Sequence, residues 1–132
     1  MADFSTAVAL VLQHEGGLSV DSSDPGGTTN WGISLRWHPE LGEEGIRNLT
    51  KEQASAIYQK EYWTAAMEQE PDQRMANCML DCAVNQGQAI AAQFYQHFGH
   101  SIKEFQLARL LRYAALNKPQ FNHSWFQRSL DV

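Results

Sequence analysis

The sequence predicts a mainly α fold, with helices around one central apolar helix and a small irregular or β segment that carries the chemistry. Three observations predict it. Apolar residues recur at helical spacing over most of the chain. Residues 73–86 carry apolar side chains on both sides, as a buried helix does. The stretch Glu15 to Ser34, EGGLSVDSSDPGGTTNWGIS, holds five glycines in twenty residues, backbone that turns tightly and leaves room beside it.

The first helix is expected over residues 3–14, with Asp3 as its cap and Phe4, Val8, Val11 and Leu12 as its apolar stripe. Glu15 falls four after Val11 and three after Leu12, on that same apolar face, and Gly16 or Gly17 can end the helix in a left-handed conformation. Residues 18–34 are too rich in Gly, Asp, Ser and Thr for helix and read as short strands or a hairpin. Leu35 to Leu49, punctuated by Pro39 and Gly42, has room for one or two helical turns. Thr50-Lys51-Glu52-Gln53 is a capping-box pattern opening a helix to about Met67, with Ala54, Ile57, Tyr58 and Tyr62 inward. After Pro71-Asp72 comes the central helix, Gln73 to Gln86. Gly87 breaks it from a helix over Gln88 to Phe98, with Phe94 and Phe98 inward. Another helix follows Ser101 and carries Phe105, Leu110, Leu111 and Ala114. Asn117-Lys118-Pro119 ends it, and a short helix around His123 to Leu130 closes the chain.

Composition narrows the function. The 132 residues make one domain with a real core, read here as 1–132 with a motif-bearing half (1–70) and a helical half (71–132). A net charge of −5 argues against nucleic acid, which is met by basic faces, and against an electrostatic hold on anionic membranes or wall polymers. A grip on such a polymer then comes from short-range hydrogen bonds and stacking. Cys78 and Cys82, four apart in one helix, read as buried free thiols. The N-terminus lacks a signal-peptide pattern, and the apolar run Ala7 to Leu12 is too short to cross a bilayer. The expectation is synthesis in the cytoplasm without membrane insertion, and action elsewhere only through another export system.

A glycosidic bond needs a proton donor on its leaving oxygen and a group that stabilises the oxocarbenium-like centre. Glu15 suits the donor, because an apolar helix face and the negative end of a helix both favour the protonated acid. Asp24, beside a Gly-Gly turn, is expected to be more solvated and ionised. Thr28 or Thr29 can hold a water opposite the leaving group, and Trp31 can stack on a sugar face. The plainer alternatives are a solvated last-turn glutamate and an ordinary Asp-Pro-Gly-Gly turn. His97-x-x-His100 has metal-ligand spacing, but no nearby carboxylate or thiol completes the set, so surface histidines and no metal are expected.

Glu15-Gly16-Gly17, Asp24-Pro25-Gly26-Gly27, Thr29 and Gly32-Ile33 together resemble the signature of glycoside hydrolase family 108, phage-type N-acetylmuramidases of the lysozyme-like superfamily. Tyr58, Tyr62-Trp63 and Asp81-Cys82-Ala83-Val84-Asn85-Gln86-Gly87 resemble that family's peptidoglycan-binding-like companion segment, and Trp125-Phe126-Gln127-Arg128 its ending. Leu18 stands where the family usually has an aromatic. The resemblance implies a lysozyme-like fold and cleavage of the β-1,4 bond between N-acetylmuramic acid and N-acetylglucosamine, with no cofactor. It implies Glu15 as general acid and Asp24 and Thr29 as further catalytic groups, with Trp31, Tyr58, Asp81 and Asn85 as substrate contacts. The alternative for Asp81 and Asn85 is a buried polar pair tying the central helix to the glycine-rich segment. Trp63 and Trp125 read as core residues. The implied partner is the peptidoglycan glycan strand; a delivered toxin would add an immunity protein. A lytic transglycosylase using the same Glu, and a non-catalytic wall-binding or secretion-helper module, are the rival readings.

Overall fold

The computed structural model describes residues 1–24, 26–116 and 127–131. Over these the chain is mainly helical with one small antiparallel sheet, as the sequence predicts. It divides into two compact units, Leu12–Glu61, and Met1–Val11 with Tyr62–Val132.

Helix α1 (Phe4–Glu15) starts where Asp3 caps it. The Asp3 carboxylate accepts from the Ser5 hydroxyl at 2.6 Å and from the Thr6 hydroxyl and N–H at 2.7 and 2.8 Å. Those bonds, that of Ser5 first, hold its pKa down at about 2. The helix ends at Gly16, whose φ of 70° is the left-handed conformation that needs no Cβ.

In the unit Leu12–Glu61, strands β1 (Ser19–Val20), β2 (Thr28–Asn30) and β3 (Ile33–Ser34) form a meander in that order. Ser19 pairs with Thr29 and Val20 with Thr28; Thr29 also pairs with Ser34 and Asn30 with Ile33. A 3₁₀ turn, Pro39–Leu41, leads into α2 (Gly42–Arg47). Side chains of β2 fasten α2: the Asn30 amide donates to the Ile46 and Arg47 carbonyls at 3.1 and 3.2 Å, satisfying groups at the helix end. The Thr28 hydroxyl donates to Glu43. Helix α3 (Lys51–Tyr62) opens on the capping box that its sequence announces. Thr50 N–H donates to Gln53 Oε1 at 2.9 Å, and Gln53 N–H donates to Thr50 Oγ1 at 3.1 Å. Ala54 and Tyr58 are its buried residues, while Ile57 is half-buried.

The helix expected to run to Met67 stops at Tyr62. Thr64 adopts an extended conformation (φ −102°, ψ 164°) and accepts from Met67 N–H, starting a separate α4 (Ala65–Gln69). Trp63 and Thr64 are weak helix formers, and a threonine that can cap competes with continuing the helix.

In the other unit, α5 (Gln73–Gln86) packs against α4, α6 (Gln88–Phe98) and α7 (Ile102–Ala115). Every residue from Met75 to Ala83 is buried, so α5 is the centre of this unit, as its two-sided apolar pattern predicts. Burial raises the thiol of Cys78 to about 11 and that of Cys82 to about 12. Phe94 meets Phe98 and Phe105 edge-on, with centroids 6.3 Å apart in each pair, and Trp63 meets Phe4 edge-on at 5.4 Å.

Of the apolar residues that the last long helix carries, Leu111 is 62% exposed. The inward stripe of α7 is Phe105, Arg109 and Tyr113, spaced four apart, which leaves Leu107 and Leu111 on the other side. Arg109 belongs inside because Asp81 is there: its Nη2 lies 2.5 Å from Asp81 Oδ2, with both side chains fully buried. Residues 127–131 are helical, and from them Arg128 Nε reaches Asp81 Oδ1 at 2.8 Å. His123, Trp125 and the Asn117-Lys118-Pro119 break lie outside the described residues. No described helix is long and apolar enough to cross a membrane.

Candidate active site

Between β2 and β3 the chain reverses in two residues, Trp31 and Gly32, flanked by the pair Asn30 and Ile33. Both take positive φ, 54° and 76°, the conformation of the tight turns whose twist matches a hairpin. Glycine adopts it freely. A tryptophan does not, and a bulky residue held there marks a position where the surroundings dictate the backbone. Tyr58 is part of those surroundings: its hydroxyl donates to the Trp31 carbonyl at 2.9 Å.

Glu15 arrives at the same turn from the end of α1. A Cβ on Gly32 would stand 2.3 Å from the Tyr58 hydroxyl oxygen and 2.8 and 2.9 Å from Glu15 Cγ and Cδ. The missing side chain of Gly32 is therefore the space that the Glu15 carboxyl and the Tyr58 hydroxyl occupy. Glu15 is half-buried, on the inward-facing side that its spacing from Val11 and Leu12 indicates.

Asp24 sits in a loop closed on itself. Asp24 N–H donates to the Asp21 carbonyl, Gly27 N–H to the Asp24 carbonyl, and Asp21 N–H to the Gly27 carbonyl. Gly27 has no room for a Cβ, which would meet the Asp21 carbonyl at 2.7 Å. The Asp24 carboxylate accepts from Gly26 N–H at 3.0 Å and is ion-paired to Arg36. The Gly26 bond first, then Arg36, hold its pKa below the usual carboxylate value. Such a group stabilises the fold above its unfolded pKa, and that contribution is lost as pH falls through the lower folded value. The gap in melting temperature between wild type and Asp24→Asn is therefore expected to narrow on acidification below about pH 4. Thermal melts across that range check this; a constant gap would show that the carboxylate's charge is not what the loop uses.

The two threonines separate by strand alternation. Thr28 and Asn30 are buried on one face, with the Thr28 hydroxyl given to Glu43 at 2.8 Å. Thr29 points to the opposite face, half-exposed, between Ser19 and Ser34.

Two expected substrate contacts have other work. Tyr58 is only 2% exposed, with its hydroxyl on the Trp31 carbonyl, so it positions the turn rather than meeting a sugar. Asp81 is fully buried between Arg109 and Arg128, which leaves it no exposed face for a sugar. Asn85, one turn further along α5, is half-buried, and its Nδ2 has no hydrogen-bond partner among the described residues. Arg36, Glu43 and the packing role of Gly32 were not foreseen; each depends on strand register that spacing alone does not reveal. No three His, Cys, Asp or Glu side chains gather as metal ligands among the described residues.

No curated protein sequence matches the chain. The solved structure of Brucella abortus SagA is similar to it, with a TM-score of 0.78 and 26% identity over 97% of this chain and 90% of that one. The sequence model described as Glycosyl hydrolase 108 matches residues 8–87, from within α1 through the hairpin to the end of α5. With the helices and small sheet of a lysozyme-like fold and a glutamate packed into a glycine-lined turn, the chain belongs to glycosyl hydrolase family 108 and is a peptidoglycan hydrolase.

Proposed function

We propose that the protein is an N-acetylmuramidase that cleaves the β-1,4 bond between N-acetylmuramic acid and N-acetylglucosamine, with Glu15 as general acid. The observation that carries this reading is the Glu15 carboxyl packed against Gly32 at the strained turn. The Gly32 backbone closes one side to the carboxyl and narrows the positions it can take, and a placed donor is what protonation of a leaving oxygen requires. Asp24, kept ionised by Gly26 N–H and Arg36, supplies negative charge toward an oxocarbenium-like centre rather than a strong base. The Thr29 hydroxyl positions the attacking water, and Trp31 offers its indole to a sugar face.

The same state of Asp24 favours a second reading. A carboxylate with reduced proton affinity is a poor general base, so the muramoyl 6-hydroxyl can replace water as nucleophile, as in a lytic transglycosylase, giving its proton to the Glu15 carboxylate left once the leaving oxygen has been protonated. Product mass separates the two on purified peptidoglycan: hydrated muropeptides ending in reducing muramic acid are expected. Anhydro-muramoyl products would move the protein to the second reading, and wall binding without release of fragments would remove the enzyme reading altogether.

A further inference from the structure

Trp37 is 79% exposed. A lone exposed apolar side chain decides nothing by itself, but the backbone beneath this one is fixed. Trp37 N–H donates to the Ser34 hydroxyl at 3.3 Å, and His38 N–H donates to the Ser34 carbonyl at 2.9 Å. On one side Leu35 N–H donates to the Thr28 carbonyl, and Arg36 is paired to Asp24. On the other, His38 Nε2 meets Glu61 Oε1 at 2.9 Å, and its carbonyl accepts from Leu41 N–H. An indole with two side-chain torsions on a pinned turn loses little entropy when a ligand covers it.

Leading to Trp37 is a row of hydroxyls. Ser19, Thr29 and Ser34 stand directly opposite one another across β1, β2 and β3, so their side chains share the face away from buried Thr28 and Asn30. The Ser34 hydroxyl that anchors Trp37 is the last of that row. An exposed indole on the turn that follows a line of neutral donors and acceptors suits a pyranose ring, with its C–H face and peripheral hydroxyl and acetamido groups. The net charge of −5 leaves an anionic wall polymer to be held by such short-range contacts.

We propose that Trp37, with Ser34 at the outer end of that row, forms an outer subsite that takes an N-acetylhexosamine ring of the glycan strand, away from the scissile bond, while the row leads from it toward Thr29. The proposal rests on the glycan-cleaving reading above and adds a residue that sets which strand lengths are gripped. Binding of peptide-free glycan strands, fractionated by length, is measured by titration calorimetry in the non-cleaving Glu15→Gln background. Adding Trp37→Ala is expected to weaken binding of long strands by about three- to tenfold and leave the shortest oligosaccharides unaffected. Trp37→Phe retains most of the affinity, and melting temperature stays unchanged in both. With Glu15 intact, the loss falls on KM for long strands rather than on kcat. Unchanged long-strand affinity in Trp37→Ala, or an equal loss at every length, overturns the subsite, as does absence of binding by the unsubstituted background. Trp37-dependent binding by a protein that never cleaves would keep the subsite and sink the catalytic reading instead.

Discussion

Glu15→Gln is expected to lower the rate of peptidoglycan cleavage by about 10²- to 10⁴-fold, the usual contribution of a positioned general acid. That corresponds to about 3–5 kcal/mol of transition-state stabilisation. Glutamine keeps the length and shape that fill the space at Gly32, so the turn, the Tyr58 bond to Trp31 and the end of α1 stay in place. What it removes is the proton. The loss should therefore appear in kcat with little change in strand affinity or melting temperature, because glutamine fills the same space and no cavity opens. Release of reducing ends, followed beside binding and thermal melts, checks all three. A variant that kept more than about a tenth of the rate would leave Glu15 without the role of donor, since that is less than the smallest effect a general acid supplies.

Which parts of this molecule are legible in its sequence follows from how far each determining interaction reaches. The cap at Asp3, the reciprocal Thr50 and Gln53 box, and the left-handed end at Gly16 all close within four residues. Short motifs state them completely. The Glu15 position is also local, because three- and four-residue spacing places it on the face of Val11 and Leu12. The break at Thr64 is local too, yet the surrounding composition is helical on both sides, and only the competing cap separates α3 from α4.

The misread residues are those whose partners lie far along the chain. Asp81 finds Arg109 and Arg128 at separations of 28 and 47 residues. A charged stripe residue in α7 looks solvent-facing until its buried partner is known. Tyr58 reads as a sugar contact until the hairpin brings the Trp31 carbonyl, 27 residues away, to its hydroxyl. Arg36 reaches Asp24 only through the β2–β3 reversal. Nothing in the one-letter pattern says that Trp31 takes positive φ, because the usual signal there is Asn-Gly or Asp-Gly and tryptophan hides it.

Gly32→Ala joins that geometry to both stability and rate. The added methyl meets the Tyr58 hydroxyl oxygen at 2.3 Å and the Glu15 side chain at 2.8 Å, and the backbone at φ 76° disfavours any Cβ. Conformational cost and overpacking together are expected to destabilise the protein by about 2–4 kcal/mol, seen as a lower denaturant midpoint at unchanged slope. Tyr58 can yield only by giving up its bond to Trp31, and Glu15 only by displacing its carboxyl. A displacement near an ångström at the acid is expected to cost about a hundredfold in kcat. Combining Gly32→Ala with Tyr58→Phe separates the two contacts. Removing the hydroxyl relieves the shortest approach, so the double variant should be more stable than the sum of the single effects by about 1 kcal/mol. Its activity should stay low, because the methyl still presses on Glu15. Full stability and wild-type turnover in Gly32→Ala would mean that the acid and the turn are not in contact during the reaction, and the proposed site would lose its foundation.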